Sequence, residues 1–191
     1  IGSIDPITQQ IIKINRTNYP KLKGYIFTNI AFDSYGQLWA LSEKHGINVI
    51  NLETRNIEII SSVNGNYDFS SIYVDINERL WIGTKSGKVF YSEGPYKTFH
   101  EVVSDDIYIK NNINSFYQAD SLNIFVCTES GIYNINSDFK IDYLSEFSEL
   151  KYQNISSVYI ENESKIWVGS NDFGLYLLNN NRKDNQSLYH Y

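Results

Sequence analysis

The chain has 191 residues, 42% of them hydrophobic and 15% aromatic, and a formal net charge of −6. That hydrophobic content supports a sizeable core, while the acidic balance argues against nucleic acid, whose phosphates demand basic patches. No apolar run is long enough to span a membrane as a helix, and a single cysteine excludes an intrachain disulfide and leaves the redox compartment open.

The predicted elements begin in the middle of a unit. Ile4-Asp5-Pro6-Ile7-Thr8-Gln9-Gln10-Ile11 matches Ile50-Asn51-Leu52-Glu53-Thr54-Arg55-Asn56-Ile57 at an offset of 46, so residues 1–20 read as the third and fourth strands of a half blade. Residues 21–62 then carry a strand at Ile30-Ala31-Phe32-Asp33, a turn at Ser34-Tyr35-Gly36, a strand around Trp39, and Gly46 before Ile47-Asn48-Val49-Ile50. Residues 63–104 are the clearest copy. Ser71 to Asp75 alternates as a β-branched and aromatic strand, Asp75 to Arg79 has turn chemistry, and Leu80 to Thr84 is a second strand. Lys85-Ser86-Gly87 is a short loop, Val89-Phe90-Tyr91 begins a third strand, Glu93-Gly94-Pro95 is a turn, and Lys97 to Val102 alternates as a fourth. Residues 105–146 are the most degenerate copy, with Phe125 in place of Trp and Cys127 where Gly83 and Gly169 stand. Cysteine is small and tolerates burial, so that exchange makes steric sense. Helical periodicity is confined to a weak candidate at Leu144 to Leu150. Residues 147–191 close the series with Val158-Tyr159-Ile160-Glu161, the Trp167 strand, Gly174 and Leu175-Tyr176-Leu177-Leu178.

One pentapeptide is therefore written four times: Leu38-Trp39-Ala40-Leu41-Ser42, Leu80-Trp81-Ile82-Gly83-Thr84, Ile124-Phe125-Val126-Cys127-Thr128 and Ile166-Trp167-Val168-Gly169-Ser170. Its aromatic recurs at spacings of 42, 44 and 42. A period in this range signals an array of one supersecondary unit. Four short antiparallel strands per period predict an all-β fold, a β-propeller of four-stranded blades with four complete blades plus a half blade. Trp39, Trp81, Phe125 and Trp167 are expected to pack between blades. The glycine after them serves close backbone approach or positive φ, and Gly46, Gly87, Gly131 and Gly174 open the third strands.

No catalytic constellation emerges. His45 falls in a loop, His100 in a fourth strand and His190 near the C-terminus, without triad spacing. Cys127 lies inside a strand and is expected to be inert. No phosphate-cradling loop or zinc-type cluster is present, so no cofactor and no metal are expected. Asp33, Asp75 and Glu161 occupy equivalent turns that lack the spaced oxygens of a calcium loop, and hairpin turns explain them. Four glycosylation sequons, at Asn15, Asn154, Asn162 and Asn185, are frequent enough in an Asn-rich chain to arise by chance. Binding residues are expected on the rim, where loops vary while strands repeat. The inter-blade loops carry Tyr19, Tyr25, Phe27, Tyr67, Phe69, Asp105, Tyr108, Phe147 and Tyr152, and the short loops carry Lys44, His45, Lys85, Glu129, Asn171 and Asp172. Rings interleaved with Asn, Asp and Lys suit sugar or peptide recognition. The competing expectation is that several rings simply fill gaps between blades.

The pattern Ile72-x-x-Asp75, then Leu80-Trp81-Ile82-Gly83-Thr84, then Gly87 resembles the two-component regulator propeller repeat, and the resemblance covers essentially the whole chain. Ala40-Leu41-Ser42 and the Phe125/Cys127 form depart from it. The resemblance implies a periplasmic sensor region of a hybrid histidine kinase, detecting oligosaccharides and acting on other domains of the same signalling protein, with the membrane reached only through a segment elsewhere in that protein. It further implies that the chain is a piece of a larger, seven-bladed propeller without enzymatic activity of its own. A non-sensing docking propeller is the alternative. A streptogramin-lyase-like enzyme, suggested by Ile4-Asp5-Pro6-Ile7-Thr8, is a more distant one. An unpaired sheet edge at a half blade invites association with another copy.

Overall fold

Runs of β-branched and aromatic residues alternate with Asx-rich turns, and most such runs among the described residues form strands. The structure is a computed structural model that describes residues 2–4, 11–63, 65, 68–94, 98–104, 107–118, 120–162, 164–179 and 187–191. The chain divides into two compact units, Ile1–Asn66 and Tyr67–Tyr191.

In the first unit, β1 (Gly2–Ile4) and β2 (Ile11–Lys13) form an antiparallel pair. A four-stranded antiparallel sheet follows, ordered β3 (Phe27–Phe32), β4 (Gln37–Ser42), β5 (Gly46–Asn51), β6 (Ile57–Ile60). The sequence match between residues 4–11 and 50–57 is also a match of register: Ile4 faces Ile11 in the first pair as Ile50 faces Ile57 in the sheet.

The second unit holds three four-stranded antiparallel sheets, each ordered as in the chain. The first comprises β7 (Phe69–Val74), β8 (Arg79–Thr84), β9 (Val89–Glu93) and β10 (His100–Glu101). The second comprises β11 (Ile113–Gln118), β12 (Ile124–Thr128), β13 (Gly131–Ile135) and β14 (Ile141–Tyr143). The third comprises β15 (Ile155–Asn162), β16 (Lys165–Ser170), β17 (Gly174–Asn179) and β18 (Ser187–His190). The four equivalent sheets of the two units are the blades of a β-propeller fold. The expected fourth strand at Lys97 to Val102 is shorter than its alternation suggests: His100–Glu101 pairs with β9, Val102 N adds one bond to Val89 O at 2.9 Å, and residues 95–97 lie outside those described. The helical candidate at 144–150 is a 3-10 turn, Ser145–Leu150, whose Phe147 and Leu150 anchor it in the core between the second and third sheets of the unit.

Faces are assigned by strand alternation. Trp81 is almost wholly buried in a cluster with Val89, Ile109, Ile113, Phe116 and Val126, so it packs between one sheet and the next as expected. Its ring lies 6.4 Å from Phe116 and 6.1 Å from Phe139. Phe125 and Cys127 face the following sheet with Val158, Val168 and Tyr176. Trp39 is buried too, but Trp167 is only half-buried, with Tyr191 at 5.9 Å as its ring neighbour, so the expectation of a core Trp holds least in the last sheet.

Three details explain the pentapeptide. The second position donates its indole Nε1–H to an acid six residues earlier: Trp39 to Asp33 at 2.8 Å, Trp81 to Asp75 at 2.9 Å and Trp167 to Glu161 at 2.8 Å. In three copies the fourth position is small and faces a first-strand Ser, Gly83 pairing with Ser71, Cys127 with Ser115 and Gly169 with Ser157, whereas in the first copy Leu41 pairs with Asn29. A Cβ on Gly83 would sit 2.4 Å from Ser71 Oγ and 2.6 Å from Ile113 Cγ2, so close approach and not positive φ demands glycine there. The fifth position caps the following turn with its hydroxyl, Thr84 accepting from Lys88 N at 2.9 Å and Thr128 donating to Gly131 O at 2.9 Å. Gly46, Gly87, Gly131 and Gly174 all have positive φ. Gly87 is doubly constrained, since a Cβ would also meet Ile109 O at 2.2 Å.

Candidate functional site

In each blade the turn between the second and third strands lies beside the connection that leads into the first strand, and together they form that blade's rim. The same backbone hydrogen bond recurs there in every blade: Glu43 N to Ile26 O, Lys85 N to Asp68 O, Glu129 N to Asn112 O and Asn171 N to Asn154 O, at 2.8 to 3.2 Å. It ties the turn after each second strand to the residue just before, or just short of, the first strand. Within the second unit the first strands are neighbours, and hydroxyls link them, Ser70 Oγ donating to Ile113 O and Ser115 Oγ to Ser156 O, each at 2.7 Å.

On this scaffold the second unit builds a chain of asparagines. Asn112 Nδ2 donates to Asn114 Oδ1 at 2.8 Å. Asn114 Nδ2 donates both to Ile155 O at 2.7 Å and to Asn154 Oδ1 at 2.9 Å. Asn171 Nδ2 completes the series, reaching Asn154 Oδ1 at 3.1 Å. The polarity of this chain is dictated by Ile155 O, because a backbone carbonyl only accepts. Asn114 must therefore turn its amide nitrogen to Ile155 and its oxygen to Asn112, which leaves Asn112 Oδ1 pointing elsewhere. That atom is buried without a hydrogen-bond partner, as is Gln153 Oε1. Buried amide oxygens normally have a donor, so these two acceptors beside one turn are exceptions. Both flank the turn Thr128 to Gly131: Glu129 N binds Asn112 O, and Gly131 N binds Gln153 O at 2.9 Å.

An aromatic group adjoins the same turn. Tyr133 and Tyr143 meet edge to face at 5.6 Å, the Tyr143 hydroxyl donates to Phe147 O at 3.2 Å, and Lys151 Nζ lies 5.6 Å from the Tyr143 ring and 5.2 Å from the Tyr152 ring. Burial pushes the Tyr133 and Tyr143 phenols above their ordinary range, with Lys151 countering at Tyr133, so both remain uncharged donors at neutral pH. Tyr73, elsewhere in the unit, is raised by burial too.

Of the rim residues read from the sequence, Lys85, Tyr108, Glu129, Tyr152, Asn171 and Asp172 are exposed on this rim of the second unit. Only Asn171 belongs to the asparagine chain. Phe69 is no loop residue: it begins β7, half-buried, and pairs with Thr84. In the first unit Lys44 and His45 are exposed in the β4–β5 turn, and Tyr25 is exposed with the Arg16 guanidinium 4.1 Å above its ring. Phe27 begins β3 and packs against the core of Ile14, Tyr19 and Leu22, so it is a packing residue. Tyr19 and Phe147 are likewise core and not rim, because each follows a chain reversal that turns the ring inward. Tyr67 and Asp105 lie outside the described residues. Strand alternation and turn chemistry do not single out Asn112, Asn114, Asn154, Tyr133, Tyr143 and Lys151 as binding residues; the one signal in the sequence is the recurrence of Asn at 111, 112, 114, 154 and 171.

His45, His100 and His190 sit in the β4–β5 turn, in β10 and in β18. Among the described residues no three His, Cys, Asp or Glu side chains gather as a metal cluster, and no helix is long and apolar enough to cross a membrane. Cys127 is fully buried, and burial pushes its thiol up to about 12 despite a hydrogen bond with Ser115.

No family model matches the sequence, and neither does any curated protein. Solved structures do match. The extracellular domain described for the hybrid two-component system BT3049 of B. thetaiotaomicron superposes with a TM-score of 0.72 at 18% identity, over 89% of this chain and 25% of that one. The extracellular domain described for the hybrid two-component system BT4673 of the same organism gives 0.66 at 20% identity, over 86% of this chain and 22% of that one. A streptogramin B lyase gives 0.68 at 11% identity, over 90% of this chain and 56% of that one. The chain thus spans about a quarter of the length of the sensor domains it matches. At these identities the likeness is one of fold, and it is the fold that the repeat pattern predicts.

Proposed function

We propose that this chain is an extracytoplasmic ligand-binding propeller module of a two-component signalling protein, that its ligand is an oligosaccharide, and that binding at the rim biases a histidine kinase carried by the same protein. Three things support the reading: the pentapeptide pattern, the fold shared with extracellular domains of two-component sensors, and the rim of the second unit. The observation that carries the ligand class is Asn112 Oδ1, a buried acceptor with no donor, oriented by a chain of amides that ends on a backbone carbonyl. Sugar hydroxyls are donors of the right kind, and exposed tyrosines beside them supply stacking surfaces. Occupancy would act across blades, since Asn154 Oδ1 receives one sheet's Asn114 and the next sheet's Asn171.

The test is calorimetry and thermal shift of the folded chain against neutral and acidic oligosaccharides. Saturable stabilisation by one sugar class, weakened at least tenfold in Asn112→Ala with folding retained, supports the reading. Silence across the panel from a cooperatively folding sample overturns it.

A further inference from the structure

The turn Thr128 to Gly131 is bonded to the backbone of Asn112 and Gln153, whose amide oxygens have no donor, and it adjoins the cation Lys151. Gly131 brings them together: a Cβ placed on it would lie 3.4 Å from Leu150 O, 3.6 Å from Lys151 Cα and 3.6 Å from Tyr143 Cε2. Lys151 thus stands directly behind the turn that Asn112 and Gln153 hold. Its ammonium is shared between the rings of Tyr143 and Tyr152 and has no ion-pair partner among the described residues; Glu129, the acid of the turn, makes none with it. Tyr152 is 77% exposed, so its ring offers a free face beside that charge. Tyr143 is fixed by its bond to Phe147 O and sets the position of the lysine. Lys110 and Lys85 are exposed on the same rim, and Lys110 N lies 3.0 Å from the Cβ position of Gly87 in the neighbouring turn. Lys85, Lys110 and Lys151 share this rim with Glu129 and Asp172, and among the described residues none of the three lysines forms an ion pair.

From this we infer that the rim site takes an acidic sugar residue: the carboxylate or sulfate pairs with Lys151, the apolar face of the ring stacks on Tyr152, and a hydroxyl donates to Asn112 Oδ1. A neutral sugar would satisfy the amide and the ring but leave the ammonium without a counter-charge, whereas an acidic one uses all three. The inference rests on the proposed saccharide binding, and deepens it by naming the class.

The experiment is isothermal titration of the full chain with a galacturonic acid trisaccharide, with the matching neutral galactose trisaccharide, and with a sulfated galactose oligosaccharide. The expected result is binding of at least one acidic probe about tenfold or more tighter than the neutral one, weakening as salt rises. Lys151→Gln should abolish that preference while leaving the neutral affinity in place. Tyr152→Ala should weaken all probes, and Lys140→Gln, at the β13–β14 turn, should change nothing. If the neutral trisaccharide binds as well as both acidic ones, or Lys151→Gln leaves the preference intact, the inference falls and saccharide binding stands. If no probe binds a cooperatively folded sample, both fall. The sulfated and uronate arms separate the two sources of charge.

Discussion

Trp81 Nε1 donates to Asp75 Oδ2 at 2.9 Å, and the same carboxylate accepts Arg79 Nε at 2.8 Å while its other oxygen takes the backbone N–H groups of Asn77 and Arg79. One buried acid thereby closes the first hairpin of the blade and anchors the ring that packs against the next blade. The relationship also explains a paired departure in the repeat. Where Phe125 replaces Trp and has no N–H to give, the position six residues earlier is Ala119, which has no carboxylate to receive it.

Asp75→Ala should therefore destabilise the chain by about 2–4 kcal/mol, because it leaves a buried indole N–H and two turn amides unpaired. Adding Trp81→Phe should cost less in that background than in the wild type, since the orphaned donor has already lost its partner. Urea denaturation of the four proteins of the cycle measures the coupling; strict additivity would show that the pair acts independently.

The unequal cover over the repeated tryptophans gives a second expectation. Trp81→Ala, which empties a site between two sheets, should cost about 3–5 kcal/mol. Trp167→Ala should cost clearly less, as that ring is only half-buried. Equal losses by thermal or urea unfolding would mean that Trp167 is covered as fully as Trp81.

Cys127 gives a pH dependence with a definite sign. Its thiol moves from 9.0 to about 12 on folding, so the folded chain holds the proton more tightly than the unfolded chain does. The contribution is complete below pH 9 and is lost as pH rises toward 12, with a slope of at most about 1.4 kcal/mol per pH unit. Stability measured between pH 8 and 10.5 should fall more steeply in the wild type than in Cys127→Ala; the buried tyrosines titrate in both and cancel in the difference. The native thiol should also resist a thiol reagent at pH 8 and react once denaturant is added. Rapid reaction in the native state would place it outside the core.

The strands, their order and the half-blade register were legible without coordinates, because each depends on short-range features. A two-residue alternation marks a half-buried strand, Asx and Gly mark the turns between strands, and the eight-residue match of 4–11 to 50–57 carries the pairing of Ile4 with Ile11. The pentapeptide was equally readable, since each Trp donates to an acid six residues earlier and the small fourth residue faces a first-strand Ser in three of the four copies. The tertiary structure alone decided which rim residues share a site. Asn112, Asn114, Asn154 and Asn171 lie on two sheets and meet only because first strands about one repeat apart stand side by side. No periodicity reports such a contact, as the rim is where the chain is released from the backbone ladder that enforces the repeat. The same holds for the rings: composition could not separate Phe27 and Phe147, which packing takes inward, from Tyr152, which it leaves beside Lys151 in water. Burial is settled by what lies across from a residue, and for a loop residue that neighbour is distant in sequence.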